Sequence, residues 1–286
     1  MRYVTFSKDG KQYFGKATET GIIELSTSFP QWKTLKNVII ENGFDRLEEI
    51  ACKRDVSYPL DEVQFDIPVP DPGKIICVGV NYPGRNEEFN DQNPAPENPS
   101  LFVRFPRSLV GHNRPILIPR ESEKLDFEAE IVIVIGREAR RVPIDRAMNY
   151  IAGISLANEG SIRDWIRHGK FNVTQGKNFE KSGSMGPWFV RYTKREQLAD
   201  INLESRLNGE VMQQDRTGRM IFTFARIIEY ITTFTTLEPG DVILTGTPTG
   251  NGSFRNPPLF LKEGDLLEIE ADGLGCLQNR IMKEQC

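Results

Sequence analysis

Asp126, Glu128 and Glu130 stand two residues apart at the head of the apolar run Ile131-Val132-Ile133-Val134-Ile135. This β-branched run predicts a buried strand, and in a strand side chains two apart share a face. Glu128 and Glu130 therefore project together, with Asp126 behind them. Carboxylates crowded at the mouth of an apolar strand repel one another and resist desolvation unless a cation lies between them. The stretch reads as half of a metal site; the less demanding reading is an edge strand whose acidic end faces water.

The other potential ligands narrow the choice of metal. The two histidines, His112 and His168, lie far apart and outside any His-rich motif, and Cys52, Cys77, Cys276 and Cys286 are too widely spaced for a Cys-x-x-Cys knuckle. That disfavours zinc held by imidazole or thiolate and favours an oxygen-bound ion, Mg2+, Mn2+ or Ca2+. The cysteines are expected to be reduced thiols without a function. A further cluster of charge, Asn158-Glu159 through Arg163-Asp164-Trp165, ends the strand predicted over 151–157. Carboxylates brought together from different strand ends are the usual makings of an oxygen-ligand site. The glycines of Thr245-Gly246-Thr247-Pro248-Thr249-Gly250-Asn251-Gly252 leave backbone amides and hydroxyls free to face an anion, although most such turns are only turns.

These groups need a scaffold. Alternating Tyr3-Val4-Thr5-Phe6, Gln12-Tyr13-Phe14-Gly15 and Ile22-Ile23-Glu24-Leu25 predict a meander of short strands, and the apolar spacing around Asn42-Gly43 predicts two short helices. The proline-rich connection over 67–73 resists both helix and sheet, so the chain is divided into a small N-terminal domain, 1–68, and a larger one, 69–286. Lys74-Ile75-Ile76-Cys77-Val78-Gly79-Val80 predicts a strand buried on both faces that delivers the polar loop 81–90, and the Pro- and Asn-rich segment 93–99 is expected to form a mobile lid. Residues 220–231 have the spacing of an amphipathic helix, and 264–275 of a hairpin.

With 286 residues, 38% of them hydrophobic, the chain is long enough for a sizeable core. A net charge of −4 with dispersed Lys and Arg supplies no basic field for nucleic acid. No apolar run has the length of a membrane span, and the first residues lack the apolar segment of a secretory signal, so a cytoplasmic protein with a small-molecule partner is expected.

Taken in order, several segments resemble the fumarylacetoacetate hydrolase family, metal-dependent enzymes acting on 2-oxo and 1,3-dioxo acids. They are Cys77-Val78-Gly79-Val80-Asn81-Tyr82, Leu125-Asp126-Phe127-Glu128-Ala129-Glu130, Ala157-Asn158-Glu159, Gly176-Lys177-Asn178-Phe179, Gly186-Pro187-Trp188, Leu207-Asn208-Gly209 and Pro239-Gly240-Asp241 through Thr247-Pro248. The resemblance spans roughly residues 72 to 280. It implies a mixed, β-dominated α+β fold with a barrel-like sheet core behind the small N-terminal α+β domain, and a homodimer. It implies Glu128, Glu130 and Glu159 as metal ligands, Glu159 standing where the family usually has Asp. It implies Lys177 as an enolate-stabilising catalytic group, and Tyr82, Arg163 and Thr247 as substrate-binding residues. Read without the family, Arg163 is an ion-pair partner for Asp164.

The departures bear on the reaction. Hydrolases of this family carry a His three residues before a Glu in the loop after Asn-Tyr, and that dyad activates water. Here Arg85 holds the His position while Glu88 remains, and Ile166 replaces a pocket Gln. An arginine stays protonated and cannot serve as a base at neutral pH, so water activation falls to Glu88, to the metal, or to His112 or His168. The expected activity is Mg2+-dependent hydrolysis of a carbon–carbon bond in an acylpyruvate-like 2-oxo acid, with Arg85 binding a second anionic group. The alternatives are a decarboxylase, hydratase or tautomerase, and a non-catalytic metabolite-binding protein.

Overall fold

The computed structural model describes residues 1–88, 96–170 and 172–285, with the Asn86 side chain left aside. The lid expected over 93–99 thus falls partly, and Cys286 wholly, outside the described residues.

The described residues form a strand-dominated mixed α+β fold. In chain order the strands are β1 Arg2–Lys8, β2 Lys11–Ala17, β3 Ile22–Glu24, β4 Gln64–Phe65, β5 Ile75–Gly79, β6 Ser100–Val103, β7 Leu109–Val110, β8 Ile116–Ile118 and β9 Leu125–Asp126. They continue with β10 Ala129–Ile135, β11 Ile151–Asn158, β12 Ser161–Ile162, β13 Gly183–Arg191, β14 Asn202–Leu207, β15 Glu210–Arg216, β16 Val242–Leu244, β17 Leu266–Ala271 and β18 Gly275–Lys283. The helices are α1 Leu35–Ile40, α2 Phe44–Ala51, α3 Arg85–Glu88, α4 Ile144–Ala147, α5 Thr174–Lys177 and α6 Phe224–Phe234. None of them is long and apolar enough to cross a membrane.

One sheet runs β3-β2-β1-β13-β11-β10-β16-β5-β6, and a second runs β15-β14-β17-β18-β8. The apolar run after Glu130 is continuous because β10 is buried on both faces. Ile131, Ile133 and Ile135 join a core with Ile227, Ile228 and Ile231 of α6. Val132 and Val134 join another with Phe189 and with Leu35 and Phe44 of the N-terminal helices. Phe189 is fully buried, its ring stacked 5.3 Å from Phe44. Phe189→Ala is expected to cost about 3–5 kcal/mol, read as a lowered denaturant midpoint.

The N-terminal meander joins the large sheet where Arg2 pairs with Val190 and Tyr3 with Phe189. We propose that the chain divides between residues 68 and 69, where it crosses Pro68, Pro70 and Pro72.

The helix predicted over 220–231 starts only at Phe224. Asn81 takes up the preceding backbone, accepting from Phe222 N at Oδ1 (2.7 Å) and from Ile221 N at its carbonyl (2.9 Å), and Thr223 Oγ1 then caps Arg226 N.

What positions the site is the block β11-β10-β16-β5. β10 runs antiparallel to β11 and β16, and β16 runs parallel to β5. The start of β10 and the ends of the other three strands therefore meet at one edge. Ala129 faces Asn158 there, and Leu244 faces both Val132 and Cys77. Each of those ends leads into one of the polar segments marked out by the sequence.

Candidate metal centre and active site

Glu128 directly precedes β10, Glu130 lies within it, and Glu159 directly follows β11. The Glu159 amide donates to the Glu128 carbonyl at 2.8 Å, closing the end of the ladder. One carboxylate oxygen from each residue lies within 4.8 Å of the others, and all three residues are no more than 3% exposed. β10 has a hydrogen-bonded neighbour on each side and its acidic end is buried, so the reading as an edge strand with that end facing water does not hold.

Burial, reinforced by Glu159 and Glu128, pushes the Glu130 carboxyl well above the usual carboxylate range, and burial raises Glu159 as well. Burial acts the same way on Glu128, but the cations Lys177, Arg163 and Arg85 outweigh it and hold that carboxyl well below the range. Glu130 accepts a hydrogen bond from Gly246 N at 2.7 Å. Gly246 has φ +101, and a Cβ there would lie 2.6 Å from Asn81 Cβ, so only glycine allows this approach. Glu159 Oε1 has no hydrogen-bond partner among the described residues. A buried set of three carboxylates, one with an oxygen unsatisfied, fits a hard divalent cation such as Mg2+, Mn2+ or Ca2+.

The cations arrive from four other segments. Lys177, the last residue of α5, is 5% exposed, and its ammonium donates to the Glu128 carboxylate and to Glu159 Oε2 at 2.9 Å. Arg163 Nε donates to Asp126 Oδ2 and its Nη2 to Glu128 Oε1, both at 2.7 Å. The pairing with Asp164 read from the sequence is thereby corrected: Asp164 accepts instead from Ser122 Oγ at 2.6 Å. Neighbours in sequence on a helical turn point apart, which is why adjacency misled.

Arg85, in α3, donates from Nη1 to the Glu88 carboxylate and to Asn251 Oδ1 (3.2 Å), and its Nη2 lies 3.6 Å from Glu128 Oε1. Glu88 Oε1 also accepts from Gly250 N at 2.7 Å. The Arg85 and Arg163 guanidiniums each lie over the Phe254 ring, at 5.6 and 5.7 Å. Arg104 is buried behind Glu159, 3.5 Å from Oε1, and donates to Gly160 O, Ser108 and Ser182 Oγ.

Thr247 lies on the loop after β16, 6% exposed, and accepts from Gln213 Nε2 at 2.9 Å. Tyr82 is 1% exposed, and its hydroxyl has no hydrogen-bond partner among the described residues. Burial, then Glu130 and Asp215, push that hydroxyl's pKa up, so it remains a neutral donor.

Neither histidine stands ready to activate water. His112 accepts from Gln278 N and sits edge-on to Phe65, where burial lowers its pKa to about 4. His168 packs on Trp165. No described contact brings either to the acidic cluster.

The structure changes the role of one residue the sequence marked and adds others. Asp126 is not one of the three clustered carboxylates; it accepts from Gly252 N (2.8 Å) and Ser253 N (3.1 Å), pinning that loop beside Arg163. Asn251, inside the glycine-rich turn already noted, reaches Glu128 and Arg85. Arg104 and Gln213 carried no local signal, because Glu159 and Gly160 beside the one, and Ala129 and Thr247 beside the other, are distant in sequence.

Fold and acidic centre together define a family of oxygen-ligand enzymes. Residues 74–282 match the family description "Fumarylacetoacetate (FAA) hydrolase C-terminal". Oxaloacetate tautomerase Fahd2a, mitochondrial, from Rattus norvegicus is 35% identical over 266 residues, covering 92% of this chain and 84% of the relative. Fumarylacetoacetate hydrolase from psychrophilic Exiguobacterium antarcticum is 28% identical, with a TM-score of 0.81 over 99% of this chain and 100% of that one. The 5-carboxymethyl-2-hydroxymuconate delta-isomerase from Mycobacterium smegmatis is 27% identical, with a TM-score of 0.77 over the same shares. The chain belongs to the fumarylacetoacetate hydrolase family.

The cytoplasmic placement is overturned by the rat relative and by bovine and human counterparts, all named mitochondrial. It had rested on the lack of a secretory signal, and that argument does not separate the cytosol from an organelle.

Proposed function

We propose that this protein is a divalent-metal-dependent tautomerase, interconverting the enol and keto forms of a small 2-oxo dicarboxylic acid such as oxaloacetate. The observation that carries the reading is the Arg85–Glu88 pair. Hydrolysis needs a base facing water. Here the histidine position holds a permanent cation, and both Glu88 oxygens already accept hydrogen bonds, one from Arg85 and one from Gly250 N. A keto–enol shift moves one proton between an oxygen and a carbon of the same molecule and consumes no water. The names of the relatives at about 35% identity support the same reading.

Held by Glu128, Glu130 and Glu159, Mg2+ would supply Lewis-acid polarisation of the 2-oxo-carboxylate. Burial opposes the charge on Lys177, but Glu128 and Glu159 more than offset this and keep it an ammonium above its ordinary pKa. That ammonium gives a proton to the enol carbon and takes one back from the enol oxygen, ending as it began. Arg163 and the Thr247 hydroxyl hold the substrate's first carboxylate, the buried Tyr82 hydroxyl contributes a further neutral donor, and Arg85 holds the second carboxylate. We also propose that the protein acts as a homodimer. A purely binding protein has less use for an ammonium placed between two of the acids.

Purified protein with Mg2+ is expected to speed the loss of enol oxaloacetate absorbance without releasing pyruvate or CO2. Rapid release of pyruvate and a second acid from an acylpyruvate would sink this reading in favour of carbon–carbon hydrolysis, and CO2 from oxaloacetate in favour of decarboxylation. Arg85→Ala is expected to raise KM for a dicarboxylate by about 10- to 100-fold, the range for a lost hydrogen bond to a charged group. KM for a 2-oxo monocarboxylate should change little.

A further inference from the structure

Gln213 lies on β15, 1% exposed, and all four hydrogen-bonding positions of its amide are filled. Oε1 accepts from Ala129 N at 3.0 Å and from the Ser205 hydroxyl at 3.1 Å. Nε2 donates to the Thr247 hydroxyl at 2.9 Å and to the Pro248 carbonyl at 2.8 Å. A backbone N–H can only donate and a carbonyl can only accept, so these neighbours decide which way the amide faces. Ala129 stands between Glu128 and Glu130. One side chain thus ties the strand bearing two of the acids to the loop bearing Thr247.

A hydroxyl has one proton and two lone pairs. Gln213 occupies a lone pair of Thr247 Oγ1, and among the described residues the Thr247 proton has no acceptor, so it is left for a ligand. We propose that Gln213 is a positioning residue that holds the Thr247 hydroxyl as a donor to the substrate carboxylate, in fixed register with the acidic cluster. This rests on the reading of Thr247 as a carboxylate binder.

The test is calorimetric titration of oxalate into the Mg2+-loaded protein, with Mg2+ affinity measured separately. Thr247→Val is expected to weaken oxalate binding by about 10- to 100-fold, and Thr247→Ser to restore it to within a few-fold. Gln213→Met should weaken oxalate comparably while leaving Mg2+ affinity within a few-fold. Gln213→Glu keeps the shape but turns the donor into an acceptor, drawing the Thr247 proton back, and should weaken oxalate at least as much. The double variant Gln213→Met with Thr247→Val should bind oxalate no worse than Thr247→Val alone, since one residue acts through the other. Should Gln213→Met fail to fold, Gln213→Glu carries the test. Wild-type oxalate affinity in a folded Gln213 variant, or losses that add in the double variant, would overturn the proposal. Wild-type affinity in Thr247→Val would instead remove the reading of Thr247 and this inference with it.

Discussion

Lys177→Ala is expected to lower kcat by about 10²- to 10⁴-fold, the span of general acid–base catalysis, and to destabilise the metal-free protein as well. The Lys177 ammonium is the hydrogen-bonded cation shared by Glu128 and Glu159, and both carboxylates are buried. Its removal leaves like charges facing one another out of water, and breaking a buried pair in this way costs about 3–5 kcal/mol. Thermal unfolding with and without Mg2+ reads the second effect: the variant should melt well below wild type without metal and recover part of the difference with it. Lys177→Arg separates the two roles, because it keeps the charge but replaces a compact ammonium with a broad planar fork. It should regain stability more than rate. A wild-type rate in Lys177→Ala would end the proton-transfer assignment.

Glu128→Ala should damage the protein more broadly. Its carboxylate takes hydrogen bonds from Lys177, Arg163, Ser161 and Asn251 and lies 3.6 Å from Arg85. Three cations lose a partner at once, so a loss of about 3–5 kcal/mol is again expected, read as a lowered denaturant midpoint. Mg2+ affinity should fall by more than about 100-fold, beyond what the loss of an outer-shell partner typically causes. Glu130→Gln is the contrast. Glu130 accepts from one backbone amide and forms no ion pair among the described residues, so its variant should lose Mg2+ affinity while keeping most of its stability. Equal destabilisation by the two substitutions would show that the cations do not depend on Glu128.

How much of this was legible beforehand follows from the range of each interaction. The period-2 spacing of Glu128 and Glu130 before Ile131-Val132-Ile133 determined that two carboxylates share a face at a strand mouth, because alternation is a property of one extended chain. The break at Asn42-Gly43 marked the junction of α1 and α2 for a similarly local reason. The start of α6 was misjudged by four residues, because the competing partner, Asn81, lies far away in the chain.

The same distinction divides the site. The sequence by itself determined the acidic pair, a third acid at a second strand end and the glycine-rich anion-facing turn, and the order of its motifs pointed to the family. Only the tertiary structure decided which charges meet. It set Lys177 between Glu128 and Glu159, turned Arg163 from its neighbour Asp164 toward Asp126, and brought Gln213 across from the second sheet to Thr247. Those contacts depend on the registers of β10, β11 and β16 and on loops that converge from separate strands. Spacing along a chain carries no record of which strands lie side by side, so a salt bridge between distant residues can be seen only once the sheet is built.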